Sequence, residues 1–188
     1  MKFMRVIAGR FKRRTLREAD PSATRPTTDK NREMIFNILG QFFDGGSALD
    51  LFAGTGALGI EALSRGVDSC TFVDIDPTAI RTIQSNLKDL EISTAAGIVV
   101  KQDALRFLGQ SHDTVYDLIF LDPPYAAGLL TDVIGAIHSG RLLANAGIIV
   151  AESDRTFPFP VCIGGIVLIR EVPAGHAKFA FYRWEESL

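Results

Sequence analysis

The sequence predicts an α/β protein built on a doubly wound sheet of seven strands, with a terminal antiparallel hairpin and a small N-terminal β extension. From about residue 47, five short apolar runs alternate with four segments of helical periodicity. Beyond residue 160, two further apolar segments follow with no helical pattern between them. Five strands that alternate with helices and a terminal strand pair indicate a doubly wound sheet whose last strands form the hairpin.

The individual elements follow from apolar periodicity, glycine, proline and capping residues. Thr27 or Thr28 is the predicted N-cap of the first helix and Gly40 its predicted C-cap, because hydroxyl side chains and glycine suit those positions. The predicted helices cover about residues 29–39, 57–64, 77–89, 104–108 and 129–137. The predicted strands cover residues 47–51, 69–73, 98–101, 118–121, 148–152, 161–170 and 177–184.

Positive charge is concentrated at the start of the chain. Residues 1–32 hold ten of the twenty Lys and Arg residues against three acidic residues, so the net charge of −2 conceals a basic arm on an acidic body. That segregation predicts a polyanionic partner contacted through one end of the molecule. The candidate nucleic-acid-binding residues are Arg5, Arg10, Lys12, Arg13, Arg14 and Arg25.

The basic arm is predicted to be an extension, residues 1–28, on a domain of residues 29–188. Gly9 can turn a hairpin between strands near residues 4–8 and 13–17. The arginines of this hairpin would meet phosphate oxygens while its apolar residues dock on the body. Two prolines mark the rest of the extension as a loop. The alternative is a solvated basic tail without a partner.

A glycine loop follows the first predicted strand. Gly54, Gly56 and Gly59 satisfy the pattern GxGxxG, and Asp74 lies twenty residues beyond Gly54, at the end of the second strand. Glycines let the backbone approach a ligand, a helix N-terminus favours an anion, and a strand-end acid can accept hydrogen bonds from ribose hydroxyls. The loop therefore predicts a Rossmann-like site for a nucleoside-bearing cofactor. Nicotinamide dinucleotides and S-adenosylmethionine fit this pattern equally.

Acidic residues at the ends of four successive predicted strands favour S-adenosylmethionine. The first of them, Asp50, precedes the glycine loop, where it would repel a pyrophosphate and attract the ammonium of S-adenosylmethionine. Asp103 could accept a hydrogen bond from an adenine amine. Each Asp alone is more commonly a helix cap or a loop acid, but acids that follow four strands of a doubly wound sheet line one crevice. The four acids are Asp50, Asp74, Asp103 and Asp122.

A short motif, Asp122-Pro123-Pro124-Tyr125, follows the fourth predicted strand. The prolines exclude a helix and a continued central strand, and they leave backbone carbonyls free to accept hydrogen bonds. A carboxylate, a carbonyl-rich turn and an aromatic ring suit a planar group that bears an NH₂; the plain alternative is a strand-exit turn. Asp50-x-Phe-Ala-Gly-Thr-Gly together with this motif resembles the class I S-adenosylmethionine-dependent methyltransferases that modify exocyclic amines of bases.

More narrowly, the chain resembles the RsmD family, bacterial enzymes that methylate guanine N2 in small-subunit (16S) ribosomal RNA. The similarity extends from about residue 4 to about residue 152. Asp74 stands where that family usually has Glu, a difference that should still allow a bond to ribose. The turn at residues 174–177 also departs from the family pattern. The matching stretches are residues 5–10 (RVIAGR), 25–29 (RPTTD), Arg32-Glu33 and 51–66.

The resemblance implies roles for particular residues. It implies that Arg25, Thr28, Asp29 and Arg32 close over the cofactor and the base; the alternative is a capped helix start with one surface ion pair between Asp29 and Arg32. The residues implied in cofactor binding are Asp50, Phe52, Ala53, Gly54, Gly56, Asp74, Ile75, Asp103 and Ala104. The residues implied in catalysis, by holding the base, are Asp122, Pro123, Pro124 and Tyr125.

Other functions stay open. A DNA adenine or cytosine amine methyltransferase needs the same grip on an NH₂. So does a protein-glutamine methyltransferase, although the basic arm argues against it. A nicotinamide-dependent oxidoreductase shares the glycine loop but gives no reason for the Asp122 motif or the arm. A non-catalytic RNA-binding module does not need an acid-lined crevice.

The cysteines, the histidines and the lengths of the apolar runs indicate the compartment and limit the possible ligands. Cys70 and Cys162 both sit in apolar runs and form no CxxC pattern, so we expect buried thiols in a reducing compartment. The three histidines are too scattered for a metal site, and no apolar run approaches the ~20 residues of a membrane helix. We therefore expect a cytoplasmic monomer that binds neither metal nor membrane. The resemblance implies ribosomal RNA or a small-subunit assembly intermediate as its partner.

Overall fold

The computed structural model describes residues 4–18, 28–110, 113–123 and 129–185. In that part of the chain the helices are α1 (Asp29–Leu39), α2 (Ala57–Ser64), α3 (Pro77–Asp89), α4 (Ala104–Leu108) and α5 (Leu129–Ser139). The strands are β1 (Ser47–Leu51), β2 (Ser69–Asp74), β3 (Gly97–Lys101), β4 (Tyr116–Leu121), β5 (Leu143–Asp154), β6 (Cys162–Ile163), β7 (Ile166–Ala174) and β8 (Ala177–Trp184).

The strands form one sheet in the order β3-β2-β1-β4-β5-β8-β7-β6. Strands β1 to β5 run parallel, whereas β8 runs antiparallel to β5 and β7 antiparallel to β8. The predicted doubly wound sheet with a terminal hairpin is therefore confirmed. The chain order reverses between β1 and β4, and in such sheets ligands bind outside the carboxyl ends of the strands at this point.

The predicted strand count of seven is wrong by one. The segment predicted as a single strand over 161–170 is divided by a turn, in which Gly164 has a φ of +62°. The two residues before the turn form β6, a short edge strand paired with β7. Cys162 lies on this edge and is exposed, so its predicted burial is also wrong, whereas Cys70 is buried as predicted.

Two hydrophobic cores lie on opposite faces of the sheet. The first contains α1, α2 and α3 side chains together with Phe72, Phe120 and Val150 from the strands. The second contains α4 and α5 side chains and the alternate strand residues, such as Leu121 and Ala151. Because successive side chains of a strand point to opposite faces, this alternation fixes the face on which each strand-end residue lies.

Residues 4–18 fold back on themselves as a hairpin that packs along α2, but the strands predicted near residues 4–8 and 13–17 are replaced by a single isolated bridge. The two arms pair through a bridge between Arg5 and Thr15, and Gly9 enters the turn with a φ of +79°. Met4, Val6 and Leu16 are buried in the first core, alongside the helices. The described part of the extension is therefore an ordered element of the fold rather than a solvated tail, while the division at residue 28 stays a prediction.

A buried carboxylate holds the hairpin on α2. Glu61 accepts hydrogen bonds from the backbone N–H groups of Ile7 at 2.8 Å and Ala8 at 2.9 Å. It also pairs with Arg65, whose Nε lies 2.8 Å from Oε1 of Glu61. Both charged side chains are almost fully buried, so removal of either partner would leave an uncompensated charge in the core.

Candidate active site

The glycine loop between β1 and α2 has the backbone that glycine favours. The value of φ is +55° at Gly54 and +75° at Gly56, which is the N-cap of α2. Phe52 also lies in the left-handed region, at +61°. A Cβ at Gly59 would overlap the Phe72 ring. The first two glycines therefore shape the loop, and the third allows α2 to lie directly on β2.

Asp50 lies beneath this loop and is only 3% exposed. Its Oδ2 accepts a hydrogen bond from the backbone N–H of Gly59 at 3.0 Å. The pKa of Asp50 is raised to about 8, chiefly because burial disfavours the charged form; the bond from Gly59 lowers the pKa and the nearby charge of Asp74 raises it. A cationic group placed beside Asp50 would reverse this shift, so the site favours a ligand with a positive charge.

Asp74 organises the loop from the end of β2. Its Oδ2 accepts the N–H of Gly54 at 2.8 Å, and its Oδ1 accepts the N–H of Asp76 at 2.8 Å. Ala53 is fixed as well, since its N–H donates to the carbonyl of Val73 at 3.1 Å. Each carboxylate oxygen retains a lone pair, so Asp74 holds the loop in shape and can still accept bonds from ribose hydroxyls.

A cleft of about 430 Å³ opens beside the loop at the ends of β2 and β3. Ile75 is 65% exposed at its wall, an unusual position for a large apolar side chain and one that suits a flat ring. Asp103 caps α4, because its Oδ1 accepts the N–H of Arg106 at 2.9 Å. The side chain of Ala104 is buried in the second core. The residues that line the cleft are Ile75, Lys101, Gln102, Asp103, Arg106 and Gln110.

Asp122 directly follows β4 and lies between acidic neighbours. Desolvation raises the pKa of its carboxyl well above the ordinary value, and the charges of Glu152 and Asp50 raise it further. Pro123 is buried behind it. Pro124 and Tyr125 lie outside the described residues, as does Arg25. The structure thus brings Asp122 together with Asp50, the acid at the end of the neighbouring strand.

Glu152 is a site residue that the sequence motifs did not reveal. It lies near the end of β5 and is only 8% exposed. Phe120 and Val150 belong to the first core, so Asp122 and Glu152, two residues further along, project on that same face. Asp50 faces this side too, because it bonds to α2. Glu152 is the last residue of the fifth predicted strand, residues 148–152, as the other acids lie at the ends of the first four, and this pattern could have revealed it.

The start of α1 is a capped helix with an Asp29–Arg32 pair, as in the alternative, except that the pair is not at the surface; closure of this cluster over the cofactor and the base stays a prediction. Thr28 is an N-cap, with its Oγ1 accepting the N–H of Asn31 at 3.2 Å. Arg32 is 1% exposed rather than a surface residue, and it donates to Asp29 Oδ1 at 2.9 Å and to the carbonyl of Arg5 at 2.7 Å. Desolvation lowers the pKa of Arg32 against the attraction of Asp29. The expected surface pair is therefore a buried one that joins α1 to the hairpin.

The basic residues of the hairpin divide into two groups. Arg5 pairs with Asp29 at 3.3 Å, and the Arg14 guanidinium donates to the backbone carbonyl of Asp89, so both make bonds within the chain. The other group lies at the turn, next to the C-terminal end of α2, where Arg10 stacks over the Phe11 ring at 4.5 Å and donates its backbone N–H to Ser64. This group, named the hairpin tip below, consists of the exposed residues Arg10, Lys12 and Arg13.

Two negative findings concern the described residues alone. Within them, no three His, Cys, Asp or Glu side chains are grouped so that they could hold a metal ion. None of the helices in the same ranges has the length and apolar character needed to cross a membrane.

Comparison with known proteins gives a family for this chain. The family model described as "Conserved hypothetical protein 95" matches residues 4–183. The chain belongs to this family. "Ribosomal RNA small subunit methyltransferase D" of Escherichia coli is 35% identical over 182 residues, covering 97% of this chain and 90% of the relative. The expected membership of the RsmD family is thereby confirmed.

A second curated relative and a solved structure agree with that assignment. "Putative rRNA methyltransferase YlbH" of Bacillus subtilis is 47% identical over 182 residues, covering 96% of this chain and 98% of the relative. The solved structure of "Putative methyltransferase yhhF from Escherichia coli" superposes with a TM-score of 0.85 at 34% identity. That comparison covers 98% of this chain and 99% of the solved chain, so the class I methyltransferase fold extends over the full sheet.

Proposed function

We propose that this protein transfers a methyl group from S-adenosylmethionine to the exocyclic N2 amine of a guanine in small-subunit (16S) ribosomal RNA. The observation that carries the proposal is the position of Asp122 beside Asp50, at the strand ends where the sheet reverses its order. The relatives named ribosomal RNA small subunit methyltransferase D support the RNA substrate.

The residues around the glycine loop fit S-adenosylmethionine. Asp50 is buried and favours a cation, as the cofactor's ammonium group requires. Asp74 offers carboxylate oxygens to ribose, and Ile75 and Asp103 line a cleft suited to a flat base with an amino group. When bound, the cofactor supplies an electrophilic methyl group on a positively charged sulfur. A nicotinamide dinucleotide would instead place its pyrophosphate near Asp50, which is unfavourable.

The proposed role of Asp122 and Pro123 is to activate the N2 amine of guanine, which is a poor nucleophile. The N2 lone pair of guanine is delocalised into the ring. If the Asp122 carboxylate and the Pro123 carbonyl each accept one N–H, the nitrogen can become pyramidal and direct its lone pair at the methyl group. In the transfer, the nitrogen would form the new N–C bond as the C–S bond breaks with its electron pair retained by sulfur, and the nitrogen would then lose its proton to the Asp122 carboxylate. Rate enhancement comes chiefly from positioning and from negative charge near the developing ammonium.

The RNA partner is expected to contact the hairpin tip. Arg10, Lys12 and Arg13 are exposed, and the ion pairs found among the described residues involve other basic side chains. Phosphate contacts of this kind position an RNA while the pocket selects the base. The target base would leave its stack to reach the pocket, and we expect Tyr125 to stack on it. The protein acts as a monomer on ribosomal RNA or on a small-subunit assembly intermediate.

One experiment tests the reaction and the base together. Small-subunit RNA and particles from a strain lacking the enzyme are incubated with methyl-labelled S-adenosylmethionine, and the products are identified by nucleoside mass spectrometry. N2-methylguanosine in the RNA is the expected product. N6-methyladenosine, N4-methylcytidine or the absence of label would overturn the proposal. Calorimetry should show binding of S-adenosylmethionine and none of NADH.

A further inference from the structure

The register of β4 and β5 places Glu152 next to the proposed catalytic acid. Leu121 pairs with Ala151, and both residues belong to the second core. The next residue on each strand, Asp122 and Glu152, therefore lies on the opposite face, on neighbouring strands separated by about 4.8 Å. This places two carboxylates side by side at the mouth of the crevice.

The position of Glu152 is fixed on both sides. Its strand lies between β4 and β8, and its partner across the β5–β8 ladder is Phe179, which is buried in the first core. A site residue on a central strand is held more precisely than one on a loop. The burial of Glu152 also means that its carboxylate is largely removed from water, so a bond from a ligand there discriminates strongly.

Guanine presents two adjacent donors on one edge: the ring N1–H and the N2 amine. Adenine and cytosine carry an unprotonated ring nitrogen beside their exocyclic amine. We propose that the Glu152 carboxylate accepts the N1–H of the target guanine while Asp122 accepts an N–H of its N2 amine, so that the pair selects guanine. This inference rests on the proposed function and adds to it the residue that distinguishes the base.

The electrostatics of the pair agree with this geometry. Glu152 raises the pKa of Asp122, which shows that the two carboxyl groups repel each other without a ligand. A base edge with two adjacent N–H donors relieves that repulsion. Adenine would instead turn the lone pair of its N1 toward Glu152, which adds a repulsive contact. The same two acids therefore attract guanine and reject the other amine-bearing bases.

A guanine analogue separates this role from a general need for negative charge. 2,6-Diaminopurine keeps the amine at C2 but carries a lone pair at N1 in place of the N–H. The methylated position is first located by mass spectrometry of nuclease fragments of the product RNA. Small-subunit RNA is then assembled by ligation with guanine or 2,6-diaminopurine at that position, and is presented free and in reconstituted particles. The wild type should prefer guanine by about 100-fold or more in kcat/KM, because a site built for an N–H rejects an analogue lacking it.

The decisive variant is Glu152→Gln, whose amide can donate to the N1 lone pair of the analogue. Its preference for guanine should fall by about tenfold or more relative to the wild type, with affinity for S-adenosylmethionine within a few-fold. Glu152→Asp keeps the charge and should retain the preference at a lower rate. Asp154→Asn, an exposed change on the same strand, should leave the ratio unaltered.

Two outcomes would overturn the inference alone. The first is equal use of both bases by the wild type. The second is a Glu152→Gln variant that loses activity equally on both substrates, so that its ratio of kcat/KM for guanine to kcat/KM for 2,6-diaminopurine is unchanged. A loss of cofactor affinity large enough to account for the lost activity counts as the same outcome, because it is expected if Glu152 acts only as a counter-charge for the cofactor. Failure of the wild type to form any N2-methylguanosine would overturn the proposed function as well, and is distinguishable because no product then appears.

Discussion

At the scale of single residues, Asp50 combines burial with an unusual proton affinity. Its carboxyl has a pKa of about 8 in the free protein, chiefly because burial disfavours the charged form. The folded pKa lies above the ordinary value. Asp50 therefore contributes stability that is fully present only below its ordinary pKa of 3.8 and is lost progressively as the pH rises to about 8. A bound cation offsets the cost of burying the ionised Asp50 carboxylate, because it stabilises the negative charge.

Cofactor affinity should consequently depend on pH. Below about pH 7 the Asp50 carboxyl is protonated and the cofactor's amino group is charged, so binding must release a proton. Affinity should rise with pH by up to about tenfold per unit in this range. Calorimetry in buffers of different ionisation enthalpy measures both quantities. Asp50→Asn should bind weakly without pH dependence, whereas proton-independent binding by the wild type would contradict the role assigned to Asp50.

Substitution of Asp122 should impair methyl transfer without impairing cofactor binding. Asp122→Ala removes one of the two acceptors for the N2 amine and should lower kcat by at least about 10²-fold. Affinity for S-adenosylmethionine should remain within a few-fold, because Asp50, Asp74 and the cleft are unchanged. Single-turnover methyl transfer and calorimetry give the two values. Asp132→Ala, an exposed change on α5, is the matched control. Equal losses of binding and transfer in Asp122→Ala would show that its role is misassigned.

At the scale of elements, the hairpin of residues 4–18 is held on α2 by the buried pair of Glu61 and Arg65. Glu61→Ala would leave Arg65 without its partner and the N–H groups of Ile7 and Ala8 without an acceptor. The free energy of unfolding should fall by about 3–5 kcal/mol, the range for breaking a buried pair. Urea titration measures it, with the exposed Glu33→Ala on α1 as control. A loss as small as that of the control would show that the hairpin docks by apolar contacts alone.

The hairpin tip is the part of the same element that we propose contacts RNA. Because Met4, Val6 and Leu16 belong to the first core, deletion of the hairpin would damage the fold. Charge removal by substituting Arg10, Lys12 and Arg13 with Gln is the cleaner test.

RNA affinity of the hairpin-tip variant should fall, and the slope of log affinity against log salt should flatten by about 0.7–0.9 for each phosphate that the protein no longer neutralises. Filter binding over a range of salt concentrations measures both. A triple variant that replaces the exposed residues Arg81, Lys88 and Arg141 with Gln serves as control. An unchanged slope in the hairpin-tip variant would leave those residues without a role in RNA binding.

At the scale of the whole molecule, local sequence patterns predicted the helices and strands well, but they predicted poorly which segments pack against one another. The bounds of α1, α2, α3 and α4 follow from caps and apolar spacing within each segment. The glycine loop and the strand-end acids were predictable because a parallel sheet brings such ends to one edge. The role of Glu61 was not predictable, since it depends on which segment packs on α2 in three dimensions. Glu152 fits the strand-end pattern, but only the register of β4 and β5 shows that it lies beside Asp122. The turn that separates β6 from β7 was also missed, because its two glycines lie inside an otherwise continuous apolar run that is typical of a single strand.

The strand order has a consequence for how the protein is made. β8 follows β7 in the chain, yet it lies between β5 and β7 in the sheet. Until it emerges from the ribosome, β5 has an unpaired edge on the side away from β4, and Glu152 lacks the neighbour that covers it. Exposed strand edges recruit other chains. A chain terminated before Ala177 would therefore present an aggregation-prone edge next to an incomplete pocket, and synthesis must reach the last strand of the sheet before any methyl transfer can begin.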